Sequence, residues 1–224
     1  MRRIHILVEG QTEEIIVRDV IAPALMPDIW LEPVLLTTKR PAGGPSYKGG
    51  VSSWKKIETD IRLLLRDSSV SHVTTLLDYY GLPNDCPGMS TRPSIGTYER
   101  VAHVEELMYL AIGERRFVPN LVLHETEAWV FAAARQLGEL LGDTALAAVL
   151  MRHVTKAGDN PELINDGPAT APSKRLLAAY PGYNKTQDGP LAIAELGLDA
   201  LRSQCPHLDE WLRRLCEEQP DATA

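Results

Sequence analysis

Apolar positions along this chain follow two rhythms, one of period two and one near 3.6. Residues 3–8 alternate polar and apolar at Arg3, Ile4, His5 and Ile6, continue with Leu7 and Val8, and predict a strand. Thr12 reads as a helix N-cap with acids in the first turn, and Ile15, Ile16, Val20 and Ile21 continue a helical spacing until Pro23 and Pro27. WLEPVLLTT reads as a second strand. The Gly-, Pro- and Ser-rich stretch 39–56 reads as a loop ending in a Ser cap. Ile57, Ile61, Leu64 and Leu65 place an amphipathic helix over 53–66. HVTTLLDYYGLP predicts a third strand ending on Asp78, and a helix is expected over 97–113. RFVPNLVLHETEAWVF predicts a fourth strand ending near His124, followed by a helix that starts at the acids.

Strands alternating with helices four times indicate an α/β fold with a mostly parallel, doubly wound sheet. Beyond about residue 134 the strand rhythm stops. Helices are expected near 136–154, 173–180, 190–203 and 207–218, separated by polar loops. The organisation read from this is an α/β core over 1–134 and a helical C-terminal part over 135–224 packed on it.

Composition narrows the class. Hydrophobic residues make up 44% of the 224, enough for a sizeable core, and no apolar run reaches the ~18 residues of a membrane span. The start MRRIHILVEG lacks the small-residue cleavage site of a signal peptide, so a cytoplasmic protein is expected. Cys86, Cys205 and Cys216 are odd in number and form no C-x-x-C pair, which gives neither a disulfide framework nor a zinc knuckle. A net charge of −7 argues against a non-specific cationic coat for nucleic acid, though not against an enzyme that meets phosphate through metal and a local basic patch.

Ligands of open α/β sheets gather outside the carboxyl ends of the strands. Here acids stand at three such ends: Glu9, Asp78, and Glu125 with Glu127 just beyond. Glu13 follows Glu9 by one helical turn and can point back over the same edge. Each acid alone has an ordinary explanation, a cap or a helix-dipole partner. Together they must stay partly protonated or bind a cation. Oxygen-only donors favour Mg²⁺ or Mn²⁺.

LVEGQTEE resembles the first motif of TOPRIM domains, the topoisomerase–primase fold. It is closest to the form found in overcoming-lysogenization-defect (OLD) nucleases, with Glu9, Gly10 and Glu13 in the matching positions. LLDYYGLP takes the place of the second motif, usually Asp-x-Asp, and LHETEAWVF resembles the later acidic segment. The ordered set VEG-x-TE, DYYGLP, HE-x-E, PSKR and CPH is similar to an uncharacterised bacterial family of stand-alone TOPRIM-like proteins. The resemblance implies a compact parallel α/β fold and Mg²⁺-dependent phosphodiester chemistry. It implies Glu9 as metal ligand or general base and Asp78 as ligand. Glu13 and one of Glu125 or Glu127 would complete a two-metal site. Tyr80 stands where the usual motif has its second Asp, and a phenol is a poor Mg²⁺ ligand at neutral pH.

Cations for phosphate are expected at Lys174 and Arg175, at a helix start capped by Ser173. The resemblance, which includes the stretch YNKTQDGP, implies Lys185 as a further one. Two cations oppose the dipole at that helix start, so an anionic ligand or a nearby acid is expected to offset them. The loop 39–56 adds Lys39, Arg40, Lys48, Lys55 and Lys56 with Tyr47 and Trp54. Related OLD nucleases work with an ATPase in phage defence. No G-x-x-x-x-G-K-[ST] occurs here, so an ABC- or AAA-type ATPase would be a separate chain. The expected function is metal-dependent hydrolysis of nucleic acid, DNA before RNA, in an anti-phage or DNA-maintenance setting. The alternative is a catalytically weak or inactive TOPRIM-like module that binds nucleic acid or a partner ATPase. A nucleotide-binding α/β protein ranks last, since Glu9, Glu13 and Glu14 would repel a bare phosphate at the first helix.

Overall fold

The computed structural model describes residues 1–36, 53–164, 167 and 170–217. The charged positions Lys39, Arg40 and Lys48, with Tyr47, lie outside the described residues. Four parallel lines of strand build one sheet. β1 (Arg2–Val8) pairs with β2 (Ile29–Leu35) on one side and with β3 (His72–Asp78) on the other, both in parallel. β4 (Phe117–Val118) and β5 (Leu121–Val122) pair successively along the far side of β3.

The expected fourth strand is therefore one line broken in two. Pro119 has no N–H for a ladder, so a sheet tolerates it only at an edge or a break. The break is closed by side chains. The Thr75 hydroxyl donates to the Asn120 carbonyl at 2.7 Å, and Asn120 returns its N–H to the Thr75 hydroxyl at 3.0 Å. Asn120 Nδ2 donates to the Thr75 carbonyl at 3.2 Å.

Alternation sets the layers. Ile4, Ile6 and Val8 face one hydrophobic cluster, whereas Leu7 faces the other. On the Leu7 side lie α3 (Trp54–Leu64) and α4 (Thr97–Ile112), through Ile57, Ile61, Val101, Val104 and Met108. On the Ile6 side lie α1 (Gln11–Ile16), its continuation through a π turn into α2 (Ala22–Leu25), and the later helices. Those are α5 (Glu127–Ala132), α6 (Ala134–Leu141), α7 (Thr144–Lys156), α8 (Pro172–Ala179), α9 (Asp188–Leu196), α10 (Leu198–Gln204) and α11 (Pro206–Cys216). One apolar cluster runs from Ile4 through Trp129 to Trp211 and Leu215. No helix among the described residues is long and apolar enough to cross a membrane.

Two expected helices are split, each at a glycine with positive φ. Gly142 (φ 65°) separates α6 from α7, and Gly197 (φ 82°) separates α9 from α10. Two expected caps also differ. Gly10, not Thr12, is the N-cap of α1, and Thr12 lies buried inside the first turn. Ala171 is the N-cap of α8, so Ser173 sits within that helix.

α11 closes the Ile6 side. The Glu162 carboxylate accepts the N–H groups of His207 (2.9 Å) and Leu208 (3.1 Å), which caps this helix, and also the Tyr98 hydroxyl (2.9 Å). One turn later, Trp211 Nε1 donates to the Thr74 hydroxyl at 2.9 Å, and Thr74 passes its own proton to the Val118 carbonyl at 2.6 Å. A single indole thus ties the last helix to the seam between β3 and β4. Trp211→Ala is expected to cost about 3–5 kcal/mol in urea unfolding. A loss below about 1 kcal/mol, the size of one exposed contact, would show that α11 does not depend on this anchor.

Candidate active site

The strand register brings the acids together. Val8 pairs with Leu76 and Asp78 with Val122, so Glu9, Asp78 and the segment after β5 emerge at the same carboxyl edge. Beyond β5 the chain turns sharply. His124 holds φ 65°, uncommon for a residue with a Cβ, and its carbonyl accepts the Tyr80 N–H at 3.0 Å. This turn decides which glutamate faces the site. Glu125 points away to α8, where Oε2 takes the Ser173 N–H (2.9 Å) and Oε1 its hydroxyl (3.1 Å). Glu127 points inward and is 1% exposed.

Thr126 sits between them and binds the other two acids. Its N–H donates to Asp78 Oδ1 at 3.1 Å and its hydroxyl to Glu13 Oε1 at 3.0 Å. Glu13 and Asp78 are buried, whereas Glu9 keeps a partly open face. The cluster is therefore Glu9, Glu13, Asp78 and Glu127, drawn from two strand ends, α1 and the start of α5.

Among the described residues one cation, Lys185, reaches it. Lys185 Nζ lies 3.2 Å from Glu127 Oε1. The loop between α8 and α9 aims this side chain by its own hydrogen bonds. Asn184 Oδ1 accepts from the Thr186 N–H (3.2 Å) and hydroxyl (3.0 Å), and the Asn184 N–H donates to Asp188 Oδ2 at 2.7 Å. The same loop brings in Tyr183. Its buried hydroxyl has no hydrogen-bond partner among the described residues. A Cβ on Gly189 would stand 2.4 Å from that hydroxyl, so only glycine leaves the phenol its place.

Four carboxylates sharing one ammonium behave as electrostatics requires. Burial first, then Glu13, pushes Glu9 from an ordinary 4.5 up to about 7, against the pull of Lys185. Burial and Glu13 hold Asp78 well above the usual carboxylate range, again opposed by Lys185. Burial also raises Glu127, with Lys185 acting to lower it and the nearby Glu125, which acts on Glu9 as well, adding to the rise. Burial disfavours the charge on Lys185, yet Glu127, Asp78 and Glu13 together raise its pKa. Burial, then Glu127, Asp188 and Glu13, raises the Tyr183 phenol.

The site fits a divalent cation in charge and donor type. Its donors are oxygens, the carboxyl groups outnumber the cations among the described residues, and the buried Glu127 Oε2 has no hydrogen-bond partner among them. The side chains are not preassembled around one. Among the described residues no group of three or more His, Cys, Asp or Glu stands ready to hold a metal ion. The reason is visible in the bonds: Asp78 and Glu13 are turned to Thr126, and Glu127 to Lys185.

Other expected residues lie elsewhere. Arg175 Nε donates to the Thr170 carbonyl at 2.6 Å and its guanidinium meets His153 at 3.2 Å, a structural clasp within the helical part. Lys174 is exposed and is not among the charges acting on Glu9, Asp78 or Glu127. The acid that offsets the α8 start is Glu125 itself. Tyr80 is 44% exposed. Tyr183 and Thr126 were not anticipated. The nearest signal for Tyr183 was its place two residues before Lys185, six before a glycine.

The raised pKa of Glu9 has a sign for stability. Protonation is favoured in the fold, so this group weakens the cation-free fold as pH rises from its unfolded value of 4.5 through about 7. Glu9→Gln is expected to raise Tm at about pH 8 and to change it little at about pH 4, measured in chelator. An equal effect at both pH values would show that Glu9 carries no such strain.

No curated protein and no solved structure shows significant similarity to the chain. A family model described as Domain of unknown function (DUF4276) matches residues 8–216, a span that takes in each carboxylate of the cluster and Lys185. The chain belongs to this DUF4276 family.

Proposed function

We propose that the chain is a divalent-cation-dependent phosphodiesterase acting on nucleic acid, a TOPRIM-type nuclease similar to the OLD class. The observation that carries this reading is the gathering of Glu9, Glu13, Asp78 and Glu127 with Lys185 at the carboxyl edge of a parallel sheet. Asp78, Glu13 and Glu127 would hold Mg²⁺ or Mn²⁺. Such an ion supplies an acidified water and charge stabilisation at phosphorus.

The remaining roles belong to the chain itself. Glu9 is the one carboxylate of the four with a partly open face, so it is the group placed to take a proton from an incoming water. Lys185, with a side chain 46% exposed, is placed to meet a phosphate oxygen from the solvent side. Thr126 holds Asp78 and Glu13 in orientation through its N–H and hydroxyl. Glu125 caps α8 through both carboxylate oxygens, which favours Glu127 over Glu125 as the glutamate of the ligand set. A role in phage defence or DNA maintenance, and a separate ABC- or AAA-type ATPase as partner, follow from the resemblance to OLD nucleases.

A second reading is a TOPRIM-like module that binds nucleic acid or a partner without cutting. It is favoured by Tyr80 in place of an acid and by the lack of a preassembled three-ligand group among the described residues. Plasmid nicking in Mg²⁺ or Mn²⁺ separates the two. Glu9→Gln and Asp78→Asn are each expected to lose about 100-fold or more in rate, and Lys185→Met about tenfold or more. Nicking by wild type that all three variants retain would remove the reaction from this site. Wild type that binds nucleic acid and never nicks it, with or without an added ATPase, would support the second reading.

A further inference from the structure

Lys185 does more in this site than its charge requires. Its ammonium enters from an exposed loop and ends on the buried carboxylate of Glu127. Among the described residues Glu127 is its ion-pair partner, and Glu127 keeps a second, buried oxygen without a hydrogen-bond partner. The two partners differ in freedom. Glu127 is fixed at the start of α5, within the core. The loop of Lys185 is closed by Asn184, Thr186 and Asp188, none of which uses the lysine, so the hydrogen bonds that close it do not depend on where the ammonium lies.

We infer that Lys185 is a tethered counter-ion that occupies the place of the divalent cation at Glu127, so that cation binding must displace it toward solvent. This inference rests on the cation reading of the site and adds its regulation. One positive charge among four acids holds the unloaded site together, and a doubly charged ion replaces it. The displaced ammonium then stands on the solvent side, where a phosphate would arrive. The unloaded state is thereby self-inhibited: the lysine is not free for phosphate, and Glu127 is not free for metal. Cation binding relieves both at once.

The arrangement makes a contrary pair of expectations for one substitution. Lys185→Met keeps the unbranched apolar stem of the side chain and removes the ammonium that competes. It should tighten Mn²⁺ binding by the full chain about tenfold, read by electron paramagnetic resonance titration at fixed pH, while nicking falls. Lys185→Arg keeps the charge and should bind Mn²⁺ as wild type does. A lysine that is merely structural, or that simply assists cation binding, would not tighten binding when removed. If wild type binds Mn²⁺ and Lys185→Met binds it equally or more weakly, the counter-ion role is overturned and the cation site stands. If neither binds at millimolar Mn²⁺, the cation reading fails, and this inference with it. Should the Met variant not fold by circular dichroism, wild type alone decides. Acylation of Lys185 by an amine-reactive ester, followed by peptide mass spectrometry, should accelerate severalfold as Mn²⁺ saturates the site. An unchanged rate at saturation would overturn the displacement.

Discussion

Four carboxylates and one ammonium at the edge of a parallel sheet are the constraint around which the rest of this molecule is arranged. Buried carboxylates repel one another and lose their hydration, so they accumulate only where something else offsets the cost. Here that something is partly proton, as the elevated Glu9, Asp78 and Glu127 show, and partly Lys185. Negative charge in excess of positive is the condition under which a divalent cation binds.

The scaffold explains why the acids cannot relax apart. Glu9 and Asp78 extend from adjacent strands in fixed register, and the side chains before them sit in packed clusters on opposite faces. Thr126 fastens Asp78 to Glu13. The helical C-terminal part has two tasks. α11 locks the sheet through Trp211 and Thr74, and the loop before α9 delivers Lys185 and Tyr183. The same apolar cluster runs through both parts of the chain, so fold and site share one core.

Much of this was legible in the residues. An alternating run and a β-rich run place β1 and β3 to within a residue at each end, and that suffices to put Glu9 and Asp78 at one edge. The parallel sheet follows from the alternation of strands and helices. What was not legible depends on local backbone geometry or distant partners. Glu125 and Glu127 differ in role only because His124 adopts a left-handed turn and because the start of α8 stands opposite Glu125. Periodicity contains neither fact. Lys174 and Arg175 looked like phosphate ligands because PSKR marks a helix start. In the fold that start is occupied by a carboxylate of the same chain. Tyr183 carries little signal in the sequence, because an aromatic residue in a polar loop belongs to no period. Its constraint appears only as the missing Cβ at Gly189.

The most direct measurement is a crystal structure of wild type grown or soaked with Mn²⁺, with data collected to locate manganese by its anomalous scattering. Anomalous density among Glu13, Asp78 and Glu127, with the Lys185 ammonium moved off Glu127, is the expected result. Crystals saturated with Mn²⁺ that show no manganese at these carboxylates, and Lys185 still paired with Glu127, would contradict the assignment of this cluster as a cation-dependent active site.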